Sequence, residues 1–231
     1  MKRIGLIGGM SWESTAIYYR LINEAVACRR GGHHSAALVM VSLDFAAVET
    51  MQRDGDWDAA GALLADAARS LERGGAELIV LCTNTMHRVA EQIEAATALP
   101  FVHIADATAA AVRAAGLQRV GLLGTRYTME ADFYSGRLVQ RHGLEVLVPR
   151  QPDRELVHRV IYEELTHGRI EDHSRGEYAR IGSELVGRGA ECLILGCTEI
   201  GMLVGPGDFE LPVFDTTEVH ALAAVAAALG P

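Results

Sequence analysis

Ala76-Glu77-Leu78-Ile79-Val80-Leu81 and Ala190-Glu191-Cys192-Leu193-Ile194-Leu195 align without a gap, 114 residues apart. Each is a short apolar run of the kind that reads as a buried strand. Each run ends in side chains able to carry chemistry: Cys82-Thr83-Asn84-Thr85 after the first, Gly196-Cys197-Thr198-Glu199 after the second. Two further pairs keep the same order. Arg3-Ile4-Gly5-Leu6-Ile7-Gly8 matches Arg119-Val120-Gly121-Leu122-Leu123-Gly124, and Leu99-Pro100-Phe101 matches Leu211-Pro212-Val213. Ordered landmarks whose spacing drifts by only a few residues are the mark of an internal repeat. Two matching strand ends with nucleophile-type residues suggest one site faced from two sides, as inversion at a carbon centre requires.

Outward from these runs, apolar segments alternate with helix-length amphipathic ones. Strands are expected at 3–7, 37–43, 77–81, 101–103, 119–123, 145–148, 192–195 and 213–214, with Ala-rich helices such as 57–73 and 84–96 between them. This βαβ alternation predicts a parallel α/β fold of two pseudo-symmetric, doubly wound domains with the active site in the cleft between them. The expected boundaries are 1–104 plus 216–231 for one domain and 105–215 for the other. The last helix, 217–229, is expected to return to the first domain.

Composition narrows the class. A chain of 231 residues, 49% hydrophobic, can bury a sizeable core. No run approaches the ~18 apolar residues of a membrane span, and the start does not read as a signal segment. Cys28, Cys82, Cys192 and Cys197 form no CxxC and no zinc spacing, so a reduced, cytoplasmic protein without a metal is expected. A net charge of −9 argues against nucleic acid and anionic membrane as partners. It also requires a locally positive pocket for any acidic substrate.

Gly8-Gly9 lacks the G-x-G-x-x-G pattern and reads first as a tight strand-to-helix turn, which places Met10 and Ser11 at a strand end. Thr83-Asn84-Thr85 reads either as a helix N-cap or, with the same geometry, as a carboxylate site at a helix N-terminus. Cys28 and Cys192 read as inert small hydrophobes. Cys197 lies between a strand end and an expected helix N-terminus, where a thiol pKa should fall and the thiolate form. The gapless alignment sets Thr83 opposite Cys197; a one-residue shift would pair Cys82 with it instead. His87, His103 and His220 read first as core or cap histidines, and His33-His34 as solvated. Gln52-Arg53-Asp54-Gly55-Asp56 reads as a polar loop, either simply solvated or a lid over a carboxylate.

The pair Thr83-Asn84-Thr85 and Gly196-Cys197-Thr198-Glu199-Ile200 resembles the cofactor-independent aspartate/glutamate racemase superfamily, closest to its L-aspartate/glutamate-specific branch. So do Ile4-Gly5-Leu6-Ile7-Gly8-Gly9-Met10-Ser11-Trp12-Glu13-Ser14-Thr15, Leu81 to His87, Ile104 to Thr108 and Leu123 to Glu130. The resemblance implies a homodimer, no cofactor and a small acidic amino acid as substrate. It implies catalytic Cys197 and, where relatives carry a first cysteine, catalytic Thr83. It places substrate contacts at Met10, Gln52, Thr83, Asn84, Thr85, Thr125, Thr128, Thr198 and Glu199. Some relatives use a lysine in the segment before Gly168. This chain has its single lysine at Lys2, so the group that meets the distal carboxylate is left open and no pyridoxal-binding lysine is at hand.

A racemase of this kind must stabilise an enolate-like carboxylate with preorganised donors rather than a pyridoxal ring. Two other classes fit the same outline. One is a related isomerase or decarboxylase in which Cys197 protonates an enediolate. The other is a non-catalytic amino-acid-binding protein. Hydrogen exchange at the substrate α-carbon separates the binding protein from the enzymes.

Overall fold

The computed structural model describes residues 1–230. Contacts divide the chain into one unit of Met1–His103 with His220–Pro231 and a second of Ile104–Val219.

In the first unit, β1 (Ile4–Gly8), β2 (Leu38–Ser42), β3 (Leu78–Leu81) and β4 (Phe101–Val102) form a parallel sheet in the order β2-β1-β3-β4. Between them run α1 (Trp12–Arg30), α2 (Phe45–Asp54), α3 (Trp57–Arg73) and α4 (Ala90–Ala96). The second unit opens with α5 (Ile104–Ala114) and continues with β5 (Arg119–Gly124), α6 (Arg126–Glu130), α7 (Ser135–His142) and β6 (Glu145–Leu147). It closes with α8 (Asp153–Glu163), α9 (Asp172–Gly187), β7 (Cys192–Gly196), α10 (Ile200–Leu203) and β8 (Val213–Asp215). Its sheet is again parallel, in the order β6-β5-β7-β8. Helix α11 (Thr216–Leu229) starts in the second unit and ends in the first, where Ala221, Ala224, Val225 and Ala228 pack into the core. All eight expected strands form, within a residue or so of their expected ends.

The internal repeat extends to single hydrogen bonds. The Arg3 amide donates to Glu77 Oε2 at 2.8 Å, and the Arg119 amide to Glu191 Oε2 at 2.8 Å. Ser11 caps α1 by accepting from the Ser14 amide at 3.3 Å, and Thr125 caps α6 by accepting from the Thr128 amide at 3.3 Å. Equivalent polar residues therefore solve the same problem in both halves: satisfying the free N–H groups at a strand start and a helix start.

Strand periodicity sorts the first unit's core into two faces. Ile4, Leu6, Leu78 and Val80 pack against Tyr18, Ile22 and Val26 of α1 and against α11. Ile7, Ile79 and Leu81 pack against Val48 of α2, Leu64 and Leu71 of α3 and Ile93 of α4. The turn after β1 needs its glycines. Gly9 has φ +89°, and a side chain there would strike the Leu43 carbonyl; one at Gly8 would strike Thr15. The Gly9 amide is used internally, on Thr15 Oγ1 at 2.8 Å, so this is a packing turn.

Two expectations fail here. Residues 52–54 are no loop: they form the last turn of α2, capped by Asp44 at its start and by left-handed Gly55 (φ +74°) at its end, and Gln52 is buried. The segment 84–96 is not one α-helix: Thr85–Val89 form a 3₁₀ turn before α4.

His220 anchors α11 to the first unit. A carbonyl can only accept, so its Nε2–H donates to Val102 O at 2.7 Å, and Nδ1 accepts from the Tyr18 hydroxyl at 2.8 Å. Burial lowers its pKa to about 4. The unfolded chain takes up this proton near pH 6.5 and the folded one only near pH 4, so the contribution of neutral His220 to stability is complete above about 6.5 and is lost as pH falls toward 4. The shift corresponds to about 3 kcal/mol in full. We expect the free energy of unfolding to fall steadily from pH 7 to 4.5 while the His220 imidazole, followed by NMR, stays neutral. An imidazole that titrates near 6.5 in the folded protein would contradict this.

Candidate active site

In the first unit, Cys82 and Thr83 lie in different surroundings. Cys82 continues the series Leu78, Val80 and faces the α1 and α11 side, fully buried in that core. Burial pushes its thiol far above the ordinary range. Thr83 lies two residues past the end of β3. Among the described residues, no hydrogen-bond partner engages its hydroxyl. Its carbonyl accepts from His87 Nδ1 at 2.7 Å. His87 is itself buried and packed edge-on against His103, with ring centroids 4.5 Å apart. The three histidines are thus core residues, and one of them braces the Thr83 backbone.

Asn84 and Thr85 are buried beside Thr83, but Asn84 makes no capping bond. The helical segment after Thr83 opens as a 3₁₀ turn, Thr85–Val89, and continues directly into α4. Gln52 reaches toward the same loop, its Nε2 3.0 Å from Met86 Sδ. Met10 sits in the core with Ile7 and Val48.

In the second unit, Gly124 of β5 lies in register with Gly196 of β7, which sets Thr125 beside Cys197 just beyond the strand ends. Both glycines clear room for Thr128, whose methyl lies 3.2 and 3.3 Å from where their side chains would start. Thr125 Oγ1 and Thr128 Oγ1 are 3.2 Å apart. Cys197 Sγ donates to Glu199 Oε2 at 2.9 Å, and Thr198 Oγ1 donates to the same oxygen at 2.8 Å. All three residues are buried.

This arrangement reverses the expectation of a ready thiolate. Burial raises the Cys197 pKa well above its ordinary value, and the Glu199 carboxylate adds to the rise. The helix meant to lower it, α10, is only four residues long. Cys197 therefore rests as a thiol hydrogen-bonded to a carboxylate. Glu199 is turned toward its own neighbours, and an anion so placed repels a substrate carboxylate. Of the other cysteines, Cys192 is a buried strand residue whose thiol burial pushes up to about 12, and Cys28 is exposed on α1 rather than packed. His33 and His34 are exposed as expected. Among the described residues no helix is long and apolar enough to cross a membrane.

The family model described as Asp/Glu/hydantoin racemase matches residues 7–224. A candidate Asp/Glu racemase from Yersinia pestis is 54% identical over the full length of both chains, with a TM-score of 0.94. An aspartate racemase homologue from Pyrococcus horikoshii is 36% identical, again over both full lengths, with a TM-score of 0.84. A broad-specificity amino-acid racemase from Bacillus subtilis is 24% identical over 162 residues, 70% of this chain and 69% of its own. The chain belongs to the Asp/Glu/hydantoin racemase family and is an amino-acid racemase.

Proposed function

We propose that the substrate is an acidic amino acid, L-aspartate or L-glutamate, inverted at Cα without a cofactor by Cys197 and Thr83. The observation that carries this reading is the buried Cys197 thiol hydrogen-bonded to Glu199, beside the hydroxyls of Thr125 and Thr128. A thiol alone at this depth is a poor base, because burial opposes its ionisation. A carboxylate within hydrogen-bond reach gives the proton somewhere to go.

The steps balance. Cys197 passes its proton to Glu199, and the thiolate takes the α-proton from the L-enantiomer. The Thr83 hydroxyl delivers a proton to the opposite face and recovers one from water. Glu199 then returns its proton to solvent, leaving a neutral thiol and a carboxylate as at the start. The enolate-like intermediate is stabilised by hydroxyl and amide donors at Asn84, Thr85, Thr125 and Thr128. The same reading includes a homodimer. Exposed Trp12 and Tyr19 lie two helical turns apart on α1, beside Met40 of the edge strand β2, a face suited to a second copy.

The test is D-aspartate formed from L-aspartate, resolved by chiral chromatography. Glu199→Gln should lower kcat by about 10²-fold or more, since the amide still accepts the thiol hydrogen bond but cannot take the proton. A wild-type kcat in that variant would remove Glu199 from the mechanism.

A further inference from the structure

The group that meets the distal carboxylate is not supplied by the threonines, and the second unit's strand ends already hold two buried or half-buried carboxylates, Glu199 and Asp215. An acidic substrate placed there needs a cation to offset them. The loops at the ends of β5 and β6 and the first turns of the helices they lead into contain Arg126, Arg150 and Arg154; Arg159 also makes no ion pair among the described residues but lies nearly two turns into α8. Arg150 lies 3.5 Å from Glu184, and Arg154 lies 3.2 Å from Glu130, so both are already neutralised. Arg126 is different. It follows Thr125 directly, it is exposed, and among the described residues no carboxylate pairs with it.

What holds Arg126 is weak. Its guanidinium lies 5.2 Å from the centre of the Tyr127 ring, with Nη2 3.4 Å from the Tyr127 hydroxyl. An aromatic face and a long hydrogen bond leave the charge unquenched and the fork available. The backbone around it is pinned instead: the Arg126 amide donates to His158 Nδ1 at 3.3 Å, and Thr125 caps the turn. Arg137 shows what a committed guanidinium looks like in the same unit, with two bonds of 2.6 Å to Asp106.

We propose that Arg126 is the specificity-determining residue that receives the side-chain carboxylate of the acidic substrate. This rests on the racemase reading above and gives it the cation it lacks. The bidentate fork would close on the distal carboxylate while the α-carboxylate stays with the hydroxyl donors of the strand ends.

The test compares wild type, Arg126→Gln and Arg126→Lys. It measures binding of L-aspartate by calorimetry, together with kcat/KM for α-proton exchange on L-aspartate and on L-asparagine. In Arg126→Gln the affinity for L-aspartate should drop about 100-fold, and the preference for L-aspartate over L-asparagine should fall by a similar factor. Arg126→Lys should fall between, keeping charge but losing the fork. The thermal midpoint should stay unchanged, because no internal ion pair is lost. If wild type binds L-aspartate through Arg126 but exchanges no α-proton, the carboxylate site stands and the racemase reading falls. If Arg126→Gln binds and turns over L-aspartate as wild type does, the proposal is overturned. It is overturned equally if wild type neither binds nor turns over L-aspartate.

Discussion

Cys197→Ser is expected to lower α-proton exchange on the acidic substrate by about 10³-fold while leaving the fold and substrate binding in place. The substitution keeps the size of the side chain, and its hydroxyl can still donate to Glu199 as the thiol does. What disappears is the basic form. A thiol at this depth is already hard to ionise, and in the proposed mechanism it reaches the thiolate by transfer to the carboxylate 2.9 Å away. A serine hydroxyl is a far weaker acid, so the same transfer to Glu199 no longer yields a useful base. Exchange followed by NMR, with a thermal melt beside it, checks both halves of the statement. Exchange at the wild-type rate would remove Cys197 from the proton path.

The other large effect separates two neighbouring residues. Thr83→Ala should reduce inversion by about 10²-fold or more with little change in the melting temperature, because the lost hydroxyl is tied to no other group among the described residues. Cys82→Ala should do the reverse. It empties space in the core shared by Leu78, Val80, Tyr18 and α11, costing about 1–2 kcal/mol of stability, while folded enzyme keeps its kcat. Measuring kcat and unfolding for both variants distinguishes the assignments. A dead Cys82→Ala beside an active Thr83→Ala would mean that the catalytic position lies one residue earlier.

The strand pattern was legible because a parallel sheet buried on both faces leaves continuous apolar runs in the sequence. The repeat was legible for the same reason, and it reached as far as the Glu77 and Glu191 hydrogen bonds. The gapless repeat alignment favours Thr83 over Cys82 as the residue opposite Cys197, and the structure buries Cys82 in the α1 and α11 core. Helix α2 was missed although its signals were present: Asp44 as N-cap and Gly55 just past the end. The polar run 52–56 masked them, since Gln52 looks like a loop residue until the burial of its side chain is known. The state of Cys197 could not be read at all. Its pKa depends on how deeply it is buried and where the Glu199 carboxylate turns, and both follow from packing rather than from position in the chain. The role proposed for Arg126 is not readable from the sequence, because which arginines lack a carboxylate partner depends on all the side chains around them.

The most direct test of the reading is incubation of the wild-type protein with L-aspartate and L-glutamate in heavy water, following the Cα–H signal by NMR and the enantiomers by chiral chromatography. The expected result is loss of the Cα–H signal together with the appearance of the D-enantiomer carrying deuterium at Cα. An α-proton that persists while no D-enantiomer forms from either substrate would contradict it.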